Sequence, residues 1–144
     1  MSTTFTAAAA PVSAARARAI AGYRNLALWT LQGWAAMFFF AAGYAKLTES
    51  MDNLIALMNW PALVSESFVR GLGIAEVVLA LGVLTPLISW KVGRPLLMVA
   101  TTGLVILETV MLGVHAFGLD IGLALVNLIL LALTVPVLLG RRRA

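Results

Sequence analysis

The sequence predicts an all-α integral membrane protein, a four-helix bundle with a short amphipathic interfacial helix between its first and second spans. The 144 residues are 62% hydrophobic and only 11% charged, whereas soluble domains carry about a quarter charged residues. Four windows, 26–45, 71–90, 95–114 and 121–140, together contain two charged residues, and the other 64 positions contain the remaining 14. Each window is long enough to cross a bilayer core of about 30 Å as a helix, and a helix satisfies its own backbone hydrogen bonds there.

The spans divide the chain into three parts. Residues 1–24 are rich in Ser, Thr, Ala and Arg and contain no acid, which predicts a flexible cytoplasmic tail. The same composition also suits a transit peptide, and a cleaved signal peptide is a third reading, although the apolar run after Arg24 is longer than a usual signal core. Residues 25–140 are expected to form one four-helix domain, and residues 141–144 a basic tail that marks topology and contacts anionic lipid.

The connections between the spans are unequal. The short links at 91–94 and 115–120 predict that the last three spans are antiparallel neighbours, with Pro95 in the first turn of the third span. The link from Lys46 to Arg70 is long, and within residues 51–58 apolar side chains recur at i, i+3, i+4 and i+7. This stripe predicts a short helix in the membrane interface, ending at Pro61. The alternative is a loop that contains some apolar residues.

The basic residues predict the orientation. With four spans both termini share one side, which receives eight of the ten basic residues; only Lys46 and Arg70 fall on the other side. The positive-inside rule therefore places both termini of this multi-pass membrane protein in the cytoplasm. The net charge of +4 reflects this asymmetry and does not predict nucleic-acid binding.

Polar residues within the spans form the candidate site, because an ionisable residue in a membrane span is costly and marks a site by default. At 1.5 Å per residue, Glu76, Glu108 and Asn127 lie at one depth, about 10 Å below the outer ends of their helices. Residues seven apart share a helix face, so the polar stripes of three helices are expected to converge, with Glu76 joining them at the same depth. The predicted cluster consists of Lys46, Arg70, Glu76, Glu108, His115, Asp120 and Asn127.

The expected pairs within this cluster are Lys46 with Glu76 or Glu108, and Arg70 with Asp120 or Glu66. Such pairs serve either to fix the helix register or to bind a ligand and handle protons, and the sequence leaves both readings open. The chain has no cysteine and a single histidine, so it supplies neither a thiolate nor a pair of imidazoles for a haem, and a metal site held by this chain alone is not expected. No catalytic residue is assigned, and no cofactor is evident.

Several of these residues occur in motifs. Gly43-Tyr-Ala-Lys46-Leu47 closes the first span, Asn59-Trp60-Pro61 follows in the long link, and Arg70-Gly-Leu-Gly73-Ile-Ala-Glu76 opens the second span. His115 ends the third span and Asn127 lies within the fourth. In these motifs the chain resembles the DoxX-like family of small four-helix bacterial membrane proteins, from about residue 26 to residue 139. Glu108 is outside the pattern and is supported only by the stripe argument.

The resemblance implies a membrane subunit or accessory factor of an oxidoreductase assembly. Members of the family are linked to a thiosulfate:quinone oxidoreductase and to a complex that handles thiol and superoxide stress, and a eukaryotic branch resembles receptor-assembly chaperones. The missing cysteines weaken direct thiol chemistry and leave contact with a quinone, or a scaffolding role, open. The alternatives are a proton-linked transporter that acts as an oligomer and a non-catalytic assembly factor. The expected partners are the lipid bilayer and proteins of a redox complex.

Overall fold

A computed structural model describes residues 13–142, which form five α-helices and two short 3-10 turns. The helices are α1 (Ala14–Thr48), α2 (Met51–Met58), α3 (Glu66–Leu84), α4 (Trp90–Phe117) and α5 (Ile121–Arg142), and the 3-10 turns are Trp60–Leu63 and Thr85–Leu87. Four of the helices are long and apolar enough to cross a membrane. The all-α, four-span fold is therefore confirmed, and a short helix occupies the predicted segment 51–58.

The four long helices form a closed ring in which α1 packs against α3 and α5, and α4 packs against the same two helices. Consecutive long helices are antiparallel neighbours, as the short links predict. Small and branched side chains from all four helices fill the centre of the ring, and many of the large apolar side chains on the outside are exposed, as a surface in lipid requires. The buried core consists of Ala35, Ala36, Phe39, Ala80, Val83, Leu97, Ala100, Leu104 and Val137.

Three spanning helices begin earlier than the charge pattern predicts, and one of them, α3, also ends earlier, at Leu84, so that it covers 66–84 and not the predicted window 71–90. Helix α1 begins at Ala14, capped by the Ser13 hydroxyl, which accepts a hydrogen bond from the Arg16 backbone N–H. Residues 14–24 of the predicted tail are therefore helical, and residues 1–12 lie outside the described residues. Helix α4 begins at Trp90, so the predicted link 91–94 is part of the helix and Pro95 lies inside it. Charged residues mark where a helix leaves the apolar layer, not where the helix ends.

The segment 51–63, called the cap below, closes one end of the ring. Its helix α2 starts at Ser50, whose hydroxyl accepts a hydrogen bond from the Asn53 backbone N–H. The side chain of Leu54 is fully buried, and it packs with Trp60 and with Val69 of α3. The apolar stripe that predicts the helix therefore holds it against the bundle. The end of the bundle that carries the cap is called the capped end, and the opposite end, near the chain termini, is called the terminal end.

Candidate functional site

A buried ion pair joins α1 to α3 at the capped end. The Lys46 Nζ lies 2.9 and 2.8 Å from the two carboxylate oxygens of Glu76, and both side chains are about 95% buried. Both oxygens of Glu76 therefore bind the same ammonium group. Of the two partners predicted for Lys46, the structure selects Glu76.

Two glycines make this pair possible. A Cβ atom added to Gly43 would lie 2.7 Å from the carbonyl oxygen of Gly73, and one added to Gly73 would lie 2.9 Å from the carbonyl oxygen of Gly43. The backbones of α1 and α3 thus touch where neither residue has a side chain, as small residues allow in membrane helices. Lys46 and Glu76 each follow their glycine by three residues, about one helical turn, so the contact sets them side by side.

Glu108 faces this pair from α4. Its side chain is buried, and its Oε2 atom has no hydrogen-bond partner within residues 13–142. Together with Lys46 and Glu76 it lines a cavity of about 110 Å³, room for roughly three water molecules at about 30 Å³ each. A buried, unpartnered carboxylate oxygen is rare in native proteins and calls for a ligand, a water molecule or a functional explanation.

His115 and Asn127 add two more polar side chains to this cavity, called the polar cavity below, whose other lining residues are apolar or aromatic. Asn127 donates its amide hydrogen to the Leu123 carbonyl oxygen of its own helix, at 2.8 Å, and its amide oxygen takes no part in that bond. His115 also lines a second, outer cavity of about 300 Å³ under the cap, together with Asn59, Trp60 and Asp120. His115 and Trp60 thus border both cavities.

Arg70 and Asp120 lie beside the polar cavity and do not line it. Arg70 donates to Glu66 Oε1 at 3.0 and 3.2 Å, so the structure selects Glu66 as its acidic partner. It also donates to the backbone carbonyl oxygen of Lys46, and so ties the end of α1 to α3. Asp120 caps α5 by accepting from the Leu123 backbone N–H at 3.1 Å, and it accepts a weaker bond from Asn59 of the cap at 3.4 Å.

The seven predicted residues are therefore gathered at the capped end, five around the polar cavity and two at its edge. Within residues 13–142 no group of three or more His, Asp and Glu side chains could hold a metal ion. The arrangement combines an ammonium group, two carboxylates, an imidazole and an amide around a small cavity, which suits a ligand with hydrogen-bonding groups or the passage of protons.

A second buried polar cluster at the terminal end was missed by the sequence analysis, which assigned Arg141 to a basic tail. Arg141 is 2% exposed and donates to Gln32 Oε1 and to Asn25 Oδ1, both at 2.6 Å. Gln32 in turn donates to the Val83 carbonyl oxygen at 3.2 Å. Gln32 within an uncharged span was the signal for this cluster, because a buried amide needs partners.

The fold and the site define a small multi-pass membrane protein, a bundle of four spanning helices with a polar cavity inside one end. A family model described as the DoxX-like family matches residues 30–137, which include most of α1 and α5, all of α3 and α4 and every residue of the predicted cluster. The chain belongs to the DoxX-like family. Comparison with curated proteins and with solved structures finds no match.

Proposed function

We propose that this DoxX-like protein is a membrane subunit of a quinone-linked oxidoreductase assembly in a bacterial inner membrane, with its polar cavity receiving a quinone head group. The observation that carries the proposal is the buried Oε2 atom of Glu108, which has no partner in the described chain and lies at a cavity. The eight-to-two distribution of basic residues supports cytoplasmic termini. The capped end then faces away from the cytoplasm.

The polar groups around the cavity match the carbonyl and hydroxyl groups of a quinone head group. An ammonium group has three N–H donors, and Glu76 accepts two of those of Lys46, so the third remains for a carbonyl oxygen. Glu108 Oε2 offers an acceptor for a hydroxyl group, or a donor when its carboxyl is protonated. A quinone bound there supplies redox chemistry that takes up or releases two electrons and two protons.

The second cavity gives protons a route to the capped end. His115 borders both cavities, and imidazole gives up and takes up protons near neutral pH. Asp120 lies on the outer cavity beside His115 and is only half-buried. Glu108, His115 and Asp120 therefore form a series of titratable groups from the inner cavity towards the capped end.

The apolar core separates this site from the terminal end. Thr101 and Thr134 are buried in the interior of the bundle, but each hydroxyl donates to a carbonyl oxygen one turn earlier in its own helix, at 2.7 and 2.9 Å. Phe39 belongs to the core and also lines the polar cavity. A site closed on one side favours proton exchange at one membrane face over transport through the chain.

The electron carriers are assigned to a partner subunit. Without cysteine and with one histidine, this chain has no thiolate for an iron–sulfur cluster and no second imidazole for a haem. Its part in the assembly is to hold the quinone and to exchange its protons.

Tryptophan fluorescence tests the proposal on the full-length chain in lipid nanodiscs, with a short-tailed quinone as the probe. Trp60 borders the polar cavity and is 7% exposed, whereas Trp34 on the outer surface of α1 is 50% exposed. Quinone bound in the cavity quenches Trp60 in a saturable manner, whereas quinone dissolved in the lipid quenches Trp34 without saturation. We expect the saturable component to disappear in Trp60→Phe and to remain in the matched control Trp34→Phe. Quenching without a saturable component would contradict the proposal.

A further inference from the structure

The polar cluster at the terminal end contains a buried cation without a carboxylate partner. Within residues 13–142 the ion pairs are Lys46–Glu76 and Arg70–Glu66, and Arg141 is in neither. Two of its guanidinium nitrogens bond to neutral amide oxygens of Gln32 and Asn25, and its Nη2 has no hydrogen-bond partner in this part of the chain. A buried charge is costly unless it is compensated, so this guanidinium calls for an anion.

Two tryptophans place this cation at the membrane surface. The Arg141 guanidinium carbon lies 4.9 Å from the ring centre of Trp29 and 5.2 Å from that of Trp90, within the range of cation–π attraction. Tryptophans are enriched where a helix passes from the apolar layer to the lipid head groups. The site is therefore at the depth of lipid phosphates.

Within residues 13–142 the charged side chains at the terminal end are all basic. Arg24 and Lys91 are nearby along α1 and the start of α4, and Arg94 donates to the Arg142 carbonyl oxygen at 3.3 Å. All six acidic residues of the sequence lie in the segment between Lys46 and Arg70 or in the half of the bundle towards the capped end. The chain thus offers this cluster no carboxylate side chain, and its charge complements an anionic ligand.

An apolar groove leads from this cluster along the outer surface of α1. Two adjoining hollows of about 270 and 340 Å³ share Gly33 and Met37; the first begins at Trp29 and the second continues between α1 and α3 to Phe40. A Cβ atom added to Gly33 would meet no atom within 4 Å, so the groove is open at that residue. Its apolar lining suits a hydrocarbon chain.

We propose that the terminal end binds one anionic phospholipid, with its phosphodiester at Arg141 and an acyl chain in the groove at Gly33. Trp29 contacts Arg141 and also lines the groove. This arrangement favours a membrane lipid over free phosphate, because free phosphate has no acyl chain to fill the groove. Basic pockets between membrane helices recognise anionic head groups in this way. The lipid supplies a negative charge that residues 13–142 do not supply at this end.

Thermal unfolding of the full-length chain in a neutral detergent tests the proposal, because a ligand that binds the folded state raises its stability. The probes are phosphatidylglycerol, phosphatidylcholine with the same acyl chains, and inorganic phosphate. We expect only phosphatidylglycerol to raise the unfolding temperature, because it alone among the three probes carries both an unbalanced negative charge and acyl chains. Equal rises with both lipids, or the same rise with phosphate alone, would overturn the proposal.

Two variants locate the site. Gly33→Leu fills the groove without a clash and is expected to abolish most of the rise, whereas Gly22→Leu, equally open and on the same helix, is the matched control and keeps it. Arg141→Gln is expected to weaken phosphatidylglycerol binding by about fivefold, the worth of one basic side chain at a lipid surface. If Arg141→Gln does not fold, Gly33→Leu still decides, because a full rise in that variant would refute the proposal.

Discussion

Replacing one member of the buried Lys46–Glu76 pair leaves the other charge stranded in an apolar surrounding. Lys46→Met removes the ammonium group that both carboxylate oxygens of Glu76 bind, at 2.8 and 2.9 Å. Within residues 13–142 no second cation lies at hydrogen-bond distance from Glu76. Both side chains are about 95% buried, so bulk water does not solvate the charge that is left. Breaking such a pair from one side costs about 3–5 kcal/mol of unfolding free energy.

Replacing both members should cost much less. In the double variant Lys46→Met/Glu76→Leu both charges of the pair are replaced by apolar side chains of similar volume, and such replacements of buried ion pairs are often neutral or stabilising. We therefore expect each single variant to be much less stable than the double variant. Glu66→Gln is the control, because the Glu66 side chain of the other ion pair is 61% exposed and exposed pairs contribute under about 1 kcal/mol.

Equilibrium unfolding in mixed micelles, followed by the helical circular dichroism signal, measures these free energies. The double-mutant cycle isolates the coupling between the two side chains. Single variants that each cost less than about 1 kcal/mol, with additive effects in the double variant, would refute the reasoning that each buried charge needs the other as its partner.

Three further perturbations follow from the fold. Gly43→Ala should cost about 1–3 kcal/mol in the same unfolding assay, because its Cβ would lie 2.7 Å from a backbone oxygen. The control Gly71→Ala, with open space around it, should leave the unfolding free energy unchanged. Equal effects of the two variants would contradict the close contact of α1 and α3. Leu54→Ala should cost about 2–5 kcal/mol of unfolding free energy, because this side chain of the cap is fully buried. The control Leu57→Ala changes an exposed side chain and should be near neutral. A neutral Leu54→Ala would mean that the cap does not pack on the bundle. Reporter fusions after the last residue should give a cytoplasmic signal and fusions within 48–64 an external one; a cytoplasmic signal from the second set would overturn the orientation.

The spans, the cap helix and the depth of the polar residues could be predicted because each depends on local periodicity. Charge-free windows mark the apolar layer, a stripe at i, i+3, i+4 and i+7 marks α2, and a rise of 1.5 Å per residue sets depth. The partner of Lys46 could not be predicted, because Glu76 and Glu108 lie at similar depth. The choice is made by Gly43 and Gly73, whose backbone contact sets α1 against α3 and not against α4.

The burial of Arg141 in the second polar cluster could not be predicted from the sequence pattern. Arg141 follows the last apolar run and begins a run of three arginines, which is typical of a solvated tail. In the structure α5 continues through Arg142, and the helical path turns Arg141 inward to Gln32 and Asn25 of α1, more than 100 positions earlier in the chain. Only the packing of α1 against α5 reveals that this arginine is buried while its neighbour Arg142 is exposed.

The central claim is that the polar cavity binds a ligand and does more than fix the bundle, and Glu108→Leu tests it most directly. Glu108 Oε2 has no partner in the described chain, so an apolar side chain of similar size should leave the unfolding free energy unchanged or raise it by about 1–3 kcal/mol, the cost of an unsatisfied buried polar group. The same variant should weaken binding of the short-tailed quinone, measured by the saturable quenching of Trp60, by about tenfold or more, the worth of one hydrogen bond to a charged group. A variant that loses several kcal/mol of stability while the quinone binds as before would contradict the account and assign Glu108 to structural support.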